Sequence, residues 1–365
     1  MRFTHVSGKR RVFAKLRAVK QISRAELARE CALTRPAVSA IVDELIADGL
    51  VRELGPGRST GGKPPIMLEF IPAARYAIGI NLGGDGCIEG VLCDLSCRVL
   101  FAESIAYEND FENILQVTGK VIKLLKHQVP ENNIAGVGVA VSGIVDENGA
   151  VMYSTLDVVG KPLLSRLHEL AGIPVRLERR PNAAALAEAL FGAGSGSERL
   201  VYLTSGVGVG AGFVVAGEIF SGSHGCAGEV GGLHLPDGRI LEEAARPREV
   251  MREYIEKCRE EVDFDTFLQR YIAGEKKAVE LVNANAELLA YAASTAANLF
   301  DPDAVVLGGD VLEFGDSYFE AFKKAFAVGS VASILNKEPK ILRSTFGRRG
   351  VAVGGAQIIL DSLVV

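Results

Sequence analysis

A glycine-rich turn over residues 204–212 is the first stretch of this sequence that is suited to binding chemistry. It reads TSGVGVGAG and lies between apolar runs that are typical of two buried strands. Glycine has no Cβ, so the backbone of such a turn can approach a ligand closely and hold phosphate with its N–H groups. A tight hairpin in a glycine-rich core explains the pattern equally well, and glycine spacing alone does not separate the two interpretations.

Three other segments combine glycine with polar side chains. The loop that begins at Gly222 reads GSHGCAGEVG and presents Glu229, which makes it more specific than the turn before it. Residues 83–86 read GGDG after an apolar run, and residues 140–143 read AVSG at the end of another. Because ligands of α/β proteins bind where strands end, these turns predict one shared cleft.

Composition narrows the class of protein. The 365 residues suggest two to three domains, and 48% hydrophobic with 23% charged residues is typical of a soluble globular protein. We expect neither a membrane span nor a signal peptide, because the sequence has no sufficiently long apolar run. Six scattered cysteines without a CxxC pair favour reduced thiols and a cytoplasmic location.

The first 71 residues have the pattern of a winged helix-turn-helix. Helical spacing over 10–20 is followed by a capping box, in which Ser23 and Glu26 satisfy each other's backbone N–H groups at the start of a second helix. After a turn at 31–33, Thr34 is predicted to cap a third helix that ends at Gly49. Two strands, at 50–54 and 66–71, flank a polar glycine loop that forms the wing.

This module is predicted to bind DNA. Residues 1–63 carry a net charge of +7, whereas the rest of the chain carries −12, which is the pattern of a nucleic-acid module fused to another domain. The third helix would enter the major groove, and two wing residues would meet phosphate or the minor groove. The predicted contacts are Thr34, Arg35, Ala37, Ser39 and Ala40 on the helix and Arg58 and Lys63 in the wing. A small helical interaction domain with incidental charge is the weaker alternative.

The rest of the chain is predicted to be an α/β body of two lobes. Apolar periodicity gives the order β-β-β-α-β-α-β up to residue 177, which is typical of an RNase H-like half-domain, and a similar pattern restarts at the helix 182–191. The expected fold is of the actin/hexokinase type. The predicted domains are 1–71 (winged helix), 72–180 joined by 345–365 (first lobe) and 181–344 (second lobe).

The motifs together resemble the ROK family, over nearly the whole chain. The marks are STGGKPP at 59–65, AVSG at 140–143, NAAALAE from Asn182, and the loop 222–231. The family holds bacterial sugar kinases and sugar-responsive repressors of the xylose and N-acetylglucosamine types, and only the repressors carry a winged helix. The resemblance implies ligand contacts at Gly143, Asn182, Glu229 and Glu242. It also implies phosphate turns, here degenerate, at Gly83, Gly84, Ser205, Gly206, Gly208 and Gly210.

Several departures from the kinase pattern predict that no phosphoryl transfer occurs. The family's catalytic motif ENDANA reads ERRPNA from Glu178, so Arg180 replaces the general base and Arg179 replaces a sugar-binding Asn. A guanidinium stays protonated and cannot accept the hydroxyl proton. The first phosphate turn carries Asp85, whose charge would repel phosphate.

The zinc site of the family is also missing. The motif GExGH reads GEVGG, with Gly232 in place of the His that serves both sugar and zinc, and the cysteine cluster is replaced by LHLPDGRIL at 233–241. A structural zinc usually needs four ligands, so no metal and no cofactor is expected. By this alignment two of five family sugar contacts remain.

Three hypotheses follow. The favoured one is a DNA-binding transcriptional regulator, a repressor of sugar-metabolism genes, whose inactive kinase-like body senses an effector and forms a homodimer or tetramer. The alternative is an ATP-dependent sugar kinase of the glucokinase or N-acetylglucosamine kinase type, and Arg180 argues against it. The third is a regulator that binds no sugar, which the lost sugar contacts favour.

Overall fold

The computed structural model describes residues 7–19, 21–57, 64–83, 86–235 and 237–364. It contains a winged helix and a body of two lobes, each with a five-stranded sheet. The winged helix comprises α1 (Gly8–Ala18), β1 (Gln21–Ser23), α2 (Arg24–Glu30), α3 (Arg35–Ala47), β2 (Val51–Pro56) and β3 (Ile66–Phe70).

The predicted caps of the winged helix are confirmed. Ser23 Oγ accepts from the Glu26 N–H at 3.3 Å while Glu26 Oε2 accepts from the Ser23 N–H at 2.9 Å. The bond from the Ser23 N–H, together with one from the Ser23 hydroxyl, lowers the pKa of Glu26. Thr34 Oγ1 accepts from the Ala37 N–H at 3.4 Å, and Gly49 follows α3 with a φ of +72°. The strand β1 was not predicted, because its three residues show no local pattern and form a strand only through antiparallel pairing with β3.

The first lobe has the sheet order β10-β7-β4-β5-β6. Its elements are β4 (Tyr76–Leu82), β5 (Cys87–Asp94), β6 (Val99–Ala106), α4 (Phe111–Lys126), β7 (Ile134–Val141), β8 (Ile144–Val145), β9 (Val151–Tyr153), α5 (Leu163–Ala171) and β10 (Val175–Arg179). The predicted order of elements is confirmed, apart from the additional short pair β8 and β9. The end of the last strand was placed wrongly: β10 runs through Arg179, two residues beyond the predicted 177.

A helix at the boundary of the lobes, α6 (Arg180–Phe191), starts two residues before the predicted Asn182. Pro181 is compatible with this early start, because the N–H that proline lacks has no partner in the first helical turn. Arg179 and Arg180 therefore lie at a strand end and a helix start, and their side chains leave the backbone in different directions.

The second lobe has the sheet order β13-β12-β11-β14-β15. Its elements are β11 (Arg199–Ser205), β12 (Val209–Val215), β13 (Glu218–Ile219), α7 (Leu241–Ala245), α8 (Pro247–Cys258), α9 (Phe264–Ile272), α10 (Lys276–Phe300), β14 (Ala304–Gly308), α11 (Gly315–Gly329), α12 (Val331–Ile334) and β15 (Lys340–Arg343). They are followed by α13 (Gly350–Asp361), which packs on the first-lobe sheet. The predicted helical segment near 278–300 is one helix of 25 residues.

Two helices hold the lobes together. The final helix α13 returns to the first lobe, where a Cβ on Gly79 of β4 would lie 1.8 Å from the Ala352 carbonyl oxygen. The helix α6 lies on the second-lobe sheet, and α6 and α13 cross in backbone contact at Gly354. The cleft is formed where these helices begin. In the part of the chain that the structure describes, we find no helix with the length and apolarity that a bilayer crossing requires.

Candidate functional site

A cleft of about 300 Å³ lies between the lobes. It is lined by the end of β4, by the turn between β11 and β12, by the first turn of α6 and by the segment after β14. A volume of this size is at the lower end of the range for small-molecule sites. The predicted convergence is seen for the turn 204–212, for Gly143 and for Glu229, whereas Gly83 and Gly86 of the turn 83–86 do not line the cleft.

Two acidic side chains predicted as ligand contacts line this cleft. Glu229 follows the loop after β13, and Glu242 is in the first turn of α7. Burial raises the pKa of Glu242, although Arg246 and a hydrogen bond from the Val209 N–H oppose the rise. Gly143 also lines the cleft, and its φ of +116° together with the Tyr153 carbonyl leaves no room for a Cβ.

Asn182, in contrast, does not line the cleft. Its side chain is fully buried under the first turn of α6, where Nδ2 donates to Glu178 Oε1 at 2.9 Å. Glu178 Oε1 also accepts from the Arg179 N–H at 2.8 Å, and burial raises the pKa of Glu178. The expected direct ligand contact is therefore corrected to a supporting position, because α6 starts early enough to turn Asn182 into the interior.

Arg179 joins the two lobes. Its side chain is 2% exposed, and its guanidinium donates to the Ala227 carbonyl and to the carboxylate of Glu229. Arg179 ends a strand of the first lobe, whereas both acceptors lie in a loop that a hydrogen bond from the Ala211 N–H to the Gly228 carbonyl fixes to β12. The charge of Glu229 is thus compensated within the protein.

Arg180 faces the cleft. Its Nε donates to Asn81 Oδ1 at 2.9 Å, and Asn81 Nδ2 donates to Glu89 Oε2 at 2.8 Å. The chain of contacts places a permanent cation at the start of α6, held by an amide and a carboxylate from the first-lobe sheet. The sequence predicted no site role for Asn81 or Glu89, because only strand pairing brings β4 and β5 together.

The glycines of the turn between β11 and β12 line the cleft, but packing within the protein already requires two of them. Gly206, Gly208 and Gly210 are at its wall, and a Cβ on Gly206 would lie 2.8 Å from Asp310 Oδ2. A Cβ on Gly210 would lie 2.8 Å from the ring of Pro181. Packing thus explains both glycines without a phosphate.

The other residues of the predicted phosphate turns are placed differently. Ser205 is fully buried and donates its hydroxyl to the Ala245 carbonyl at 2.7 Å, so it does not face the cleft as expected. Gly83 packs against Ser142 with a φ of +109°. Gly84 and Asp85 lie outside the described residues.

The residues present do not fit the structural zinc of the resemblance. His234 forms an isolated bridge with Ile240, and Gly232 supplies no side chain. Within the described ranges, no group of three His, Cys, Asp or Glu is arranged to hold a metal ion.

The predicted DNA-reading face of α3 points to solvent. Thr34, Arg35, Ala37 and Ala40 are exposed, and Ser39 is half-buried. Arg24, which sequence reasoning did not single out, braces this helix: Nη1 donates to the Ser39 carbonyl at 3.1 Å, and Nη2 lies 2.8 Å from Asp43 and 3.1 Å from Glu53 of β2. Arg58 and Lys63 of the wing lie outside the described residues.

Comparison with known proteins gives two family matches. Residues 77–362 match the model of the ROK family, and residues 20–52 match a winged helix-turn-helix DNA-binding model. The xylose repressor of Caldicellulosiruptor bescii is 28% identical over 374 residues, which cover 94% of this chain and 93% of the repressor.

Solved structures match the fold over different extents. A ROK family transcriptional regulator, a homologue of the Escherichia coli MLC protein, aligns with 98% of both chains at a TM-score of 0.78 and 22% identity. The ROK family glucokinase of Streptomyces griseus, in complex with glucose and AMPPNP, covers 78% of this chain and 98% of its own at a TM-score of 0.70 and 24% identity.

Proposed function

The chain belongs to the ROK family, and on that premise we propose that it is a sugar-responsive DNA-binding transcriptional regulator whose kinase-like body performs no phosphoryl transfer. The winged helix supports DNA binding, and full-length similarity to a xylose repressor supports control by a sugar. We place the protein in the cytoplasm, where the DNA target of a bacterial repressor lies.

The observation that carries the absence of catalysis is the position of Arg180. It lines the cleft at the start of α6, where the resemblance puts the general base, and it is held by Asn81. Phosphoryl transfer needs a carboxylate or an equivalent group to accept the hydroxyl proton, and a guanidinium remains protonated. We therefore assign the cleft to binding alone.

We propose that the cleft binds its effector mainly through Gly143, Glu242 and the turn at Gly206, Gly208 and Gly210. Glu242 suits a neutral polyol, because a carboxylate accepts hydrogen bonds from hydroxyl groups. Glu229 shares its carboxylate with Arg179 and would contribute a second acceptor. Titration calorimetry with D-xylose, D-glucose and N-acetyl-D-glucosamine tests this, and Glu242→Gln should weaken whichever sugar binds. If none of the three sugars gives a heat of binding, the hypothesis of a regulator that binds no sugar is favoured.

For DNA recognition we propose the exposed face of α3, with a homodimer supplying two such helices to two half-sites. Arg58 and Lys63 remain predicted phosphate or minor-groove contacts of the wing. The functional units of this proposal are residues 1–71, the lobe 72–180 with 345–365, and the lobe 181–344. Sedimentation of the free protein and selection of duplexes from a random library test the dimer and the DNA binding separately.

The alternative is an ATP-dependent sugar kinase, and two observations favour it. The turn 204–212 keeps its glycines, and the body has the fold of a glucokinase. A coupled ADP-release assay with ATP and the same three sugars decides between the two. We expect no sugar-dependent release. Saturable release that Glu242→Gln abolishes would establish the kinase.

A further inference from the structure

Two helices reach from the cleft to the winged helix. The helix α6 begins at the cleft with Arg180, Pro181 and Ala184 in its wall, and it ends at Phe191. The helix α13 has Val351 in the cleft wall near its start and carries Gln357 and Asp361 near its end. Both helices therefore have one end at the ligand site and the other against α1.

The two helices rest on different lobes. On the second-lobe sheet, a Cβ on Gly212 of β12 would lie 2.4 Å from the Pro181 carbonyl oxygen of α6. On the first-lobe sheet, α13 makes the still closer contact at Gly79. They cross where a Cβ on Gly354 would lie 1.8 Å from the Ala183 carbonyl oxygen. Rotation of one lobe against the other must therefore change the angle between α6 and α13.

Arg17 of α1 contacts both helices at their far ends. Its Nη2 donates to Gln357 Oε1 of α13 at 2.7 Å, and its guanidinium carbon lies 4.3 Å from the centre of the Phe191 ring of α6. The first contact is directional and the second is a cation–π contact, so both depend on where the two helix ends lie.

The surroundings of Arg17 make the contact rigid. The apolar face of α1, with Phe13 and Leu16, shares one buried cluster with Val353 and Ile359 of α13. Gln357 also accepts from the Cys97 thiol and donates to Asp361, so its side-chain position is fixed. Arg17 is half-buried, and loss of a partner would leave its charge poorly compensated, so α1 would follow any displacement of the two helix ends.

We infer that Arg17 is a positioning residue whose contacts depend on the angle between α6 and α13. It thereby couples the relative rotation of the two lobes at the cleft to the orientation of the winged helix. This inference deepens the proposed regulatory function and rests on it for its meaning at DNA. A neighbouring pair supplies the contrast: Arg10 of α1 forms an ion pair with Glu218 of β13 in the second lobe, and this pair involves neither α6 nor α13.

The experiment perturbs the cleft without a ligand. Arg179→Asn removes the contacts of the first lobe with Ala227 and Glu229. Arg17→Met removes the guanidinium that contacts α6 and α13. Hydrogen exchange of the amides of residues 12–18 is measured in the full-length single and double variants. We expect Arg179→Asn to speed exchange at least about fivefold when Arg17 is present and less than about twofold with Arg17→Met.

Two further variants serve as controls. Gln357→Leu removes the acceptor on α13 and leaves the winged helix intact, so it should abolish the effect as Arg17→Met does, and it replaces that variant if Arg17→Met does not fold. Glu218→Gln removes the neighbouring ion pair and should leave the fivefold effect in place. Equal effects of Arg179→Asn with and without Arg17, or no effect of Arg179→Asn on exchange, would overturn the inference.

A second arm connects the coupling to function. The same variants are titrated against a duplex that the wild-type protein selects from a random library. Coupling free energies in proteins usually correspond to about 5–150-fold, and we expect Arg179→Asn to shift the duplex Kd within that range only when Arg17 is present. If no duplex is selected over random DNA, the proposed function fails, while the exchange experiment still decides the coupling.

Discussion

Asp361→Asn should stabilise the protein at neutral pH. Asp361 ends α13 at the junction with α1, where it accepts a hydrogen bond from Gln357. Burial raises the pKa of this carboxyl to about 6 from its usual 3.8, against the attraction of Arg17 and Arg10. The folded protein therefore binds this proton more tightly than the unfolded chain does, and ionising Asp361 opposes folding.

The sign and size follow from the shift. The contribution of Asp361 to stability is complete below about pH 4, is lost as the pH rises to about 6, and stays lost at higher pH. Each pKa unit corresponds to about 1.4 kcal/mol, so the shift sets an upper bound of about 3 kcal/mol at pH 7.5. An amide keeps the acceptor for Gln357 and carries no charge, so Asp361→Asn should recover about 1–3 kcal/mol.

Urea unfolding at pH 7.5 and at pH 4.5 measures the difference in free energy of unfolding between the variant and the wild type. The stabilisation at pH 7.5 should shrink at pH 4.5, where the wild-type carboxyl is largely protonated. Glu287→Gln, the same carboxyl-to-amide change at an exposed position of α10, should change stability by no more than about 0.5 kcal/mol at either pH. A variant less stable than the wild type at pH 7.5 would show that attraction to Arg17 outweighs burial, and the reasoning would be refuted.

Three other variants test the helix crossing, the cleft and the DNA surface. Gly354→Ala should destabilise the protein by about 3 kcal/mol or more in urea unfolding, because its Cβ would meet the backbone of α6. Gly232→Ala is the neutral control, because no atom lies within 4 Å of the added Cβ. Equal stability of the two variants would show that the helix crossing tolerates a methyl group. Arg180→Asp should not produce sugar-dependent ADP release, because Arg179 and Gly232 still occupy two positions at which the family resemblance implies sugar contacts. Release that increases with sugar concentration would contradict this. Arg35→Ala should weaken binding to a selected duplex about 5–150-fold and relax the sequence preference of the protein. Lys324→Ala, at an exposed position of α11, should leave the affinity unchanged. An equal loss of affinity for both variants would show that Arg35 contributes only its charge.

Local chemistry made the winged helix predictable from the sequence. The reciprocal hydrogen bonds of Ser23 and Glu26 and the Thr34 cap involve residues three apart, so their spacing is visible in the chain. The order of strands and helices in the first lobe followed from apolar periodicity for the same reason. The sequence also determined that residue 180 is an arginine, whose guanidinium cannot accept a proton, and the proposal that the cleft performs no phosphoryl transfer rests on this identity.

Tertiary structure alone decided which of these side chains face the cleft. Asn182 turned into the interior because α6 starts at Arg180, and Ser205 did so because its hydroxyl meets the Ala245 carbonyl. The partners of Arg179 and Arg17 lie 48 and 340 positions away along the chain. No periodicity encodes such pairs, since they arise only when the lobes close and α13 returns to the first-lobe sheet beside α1.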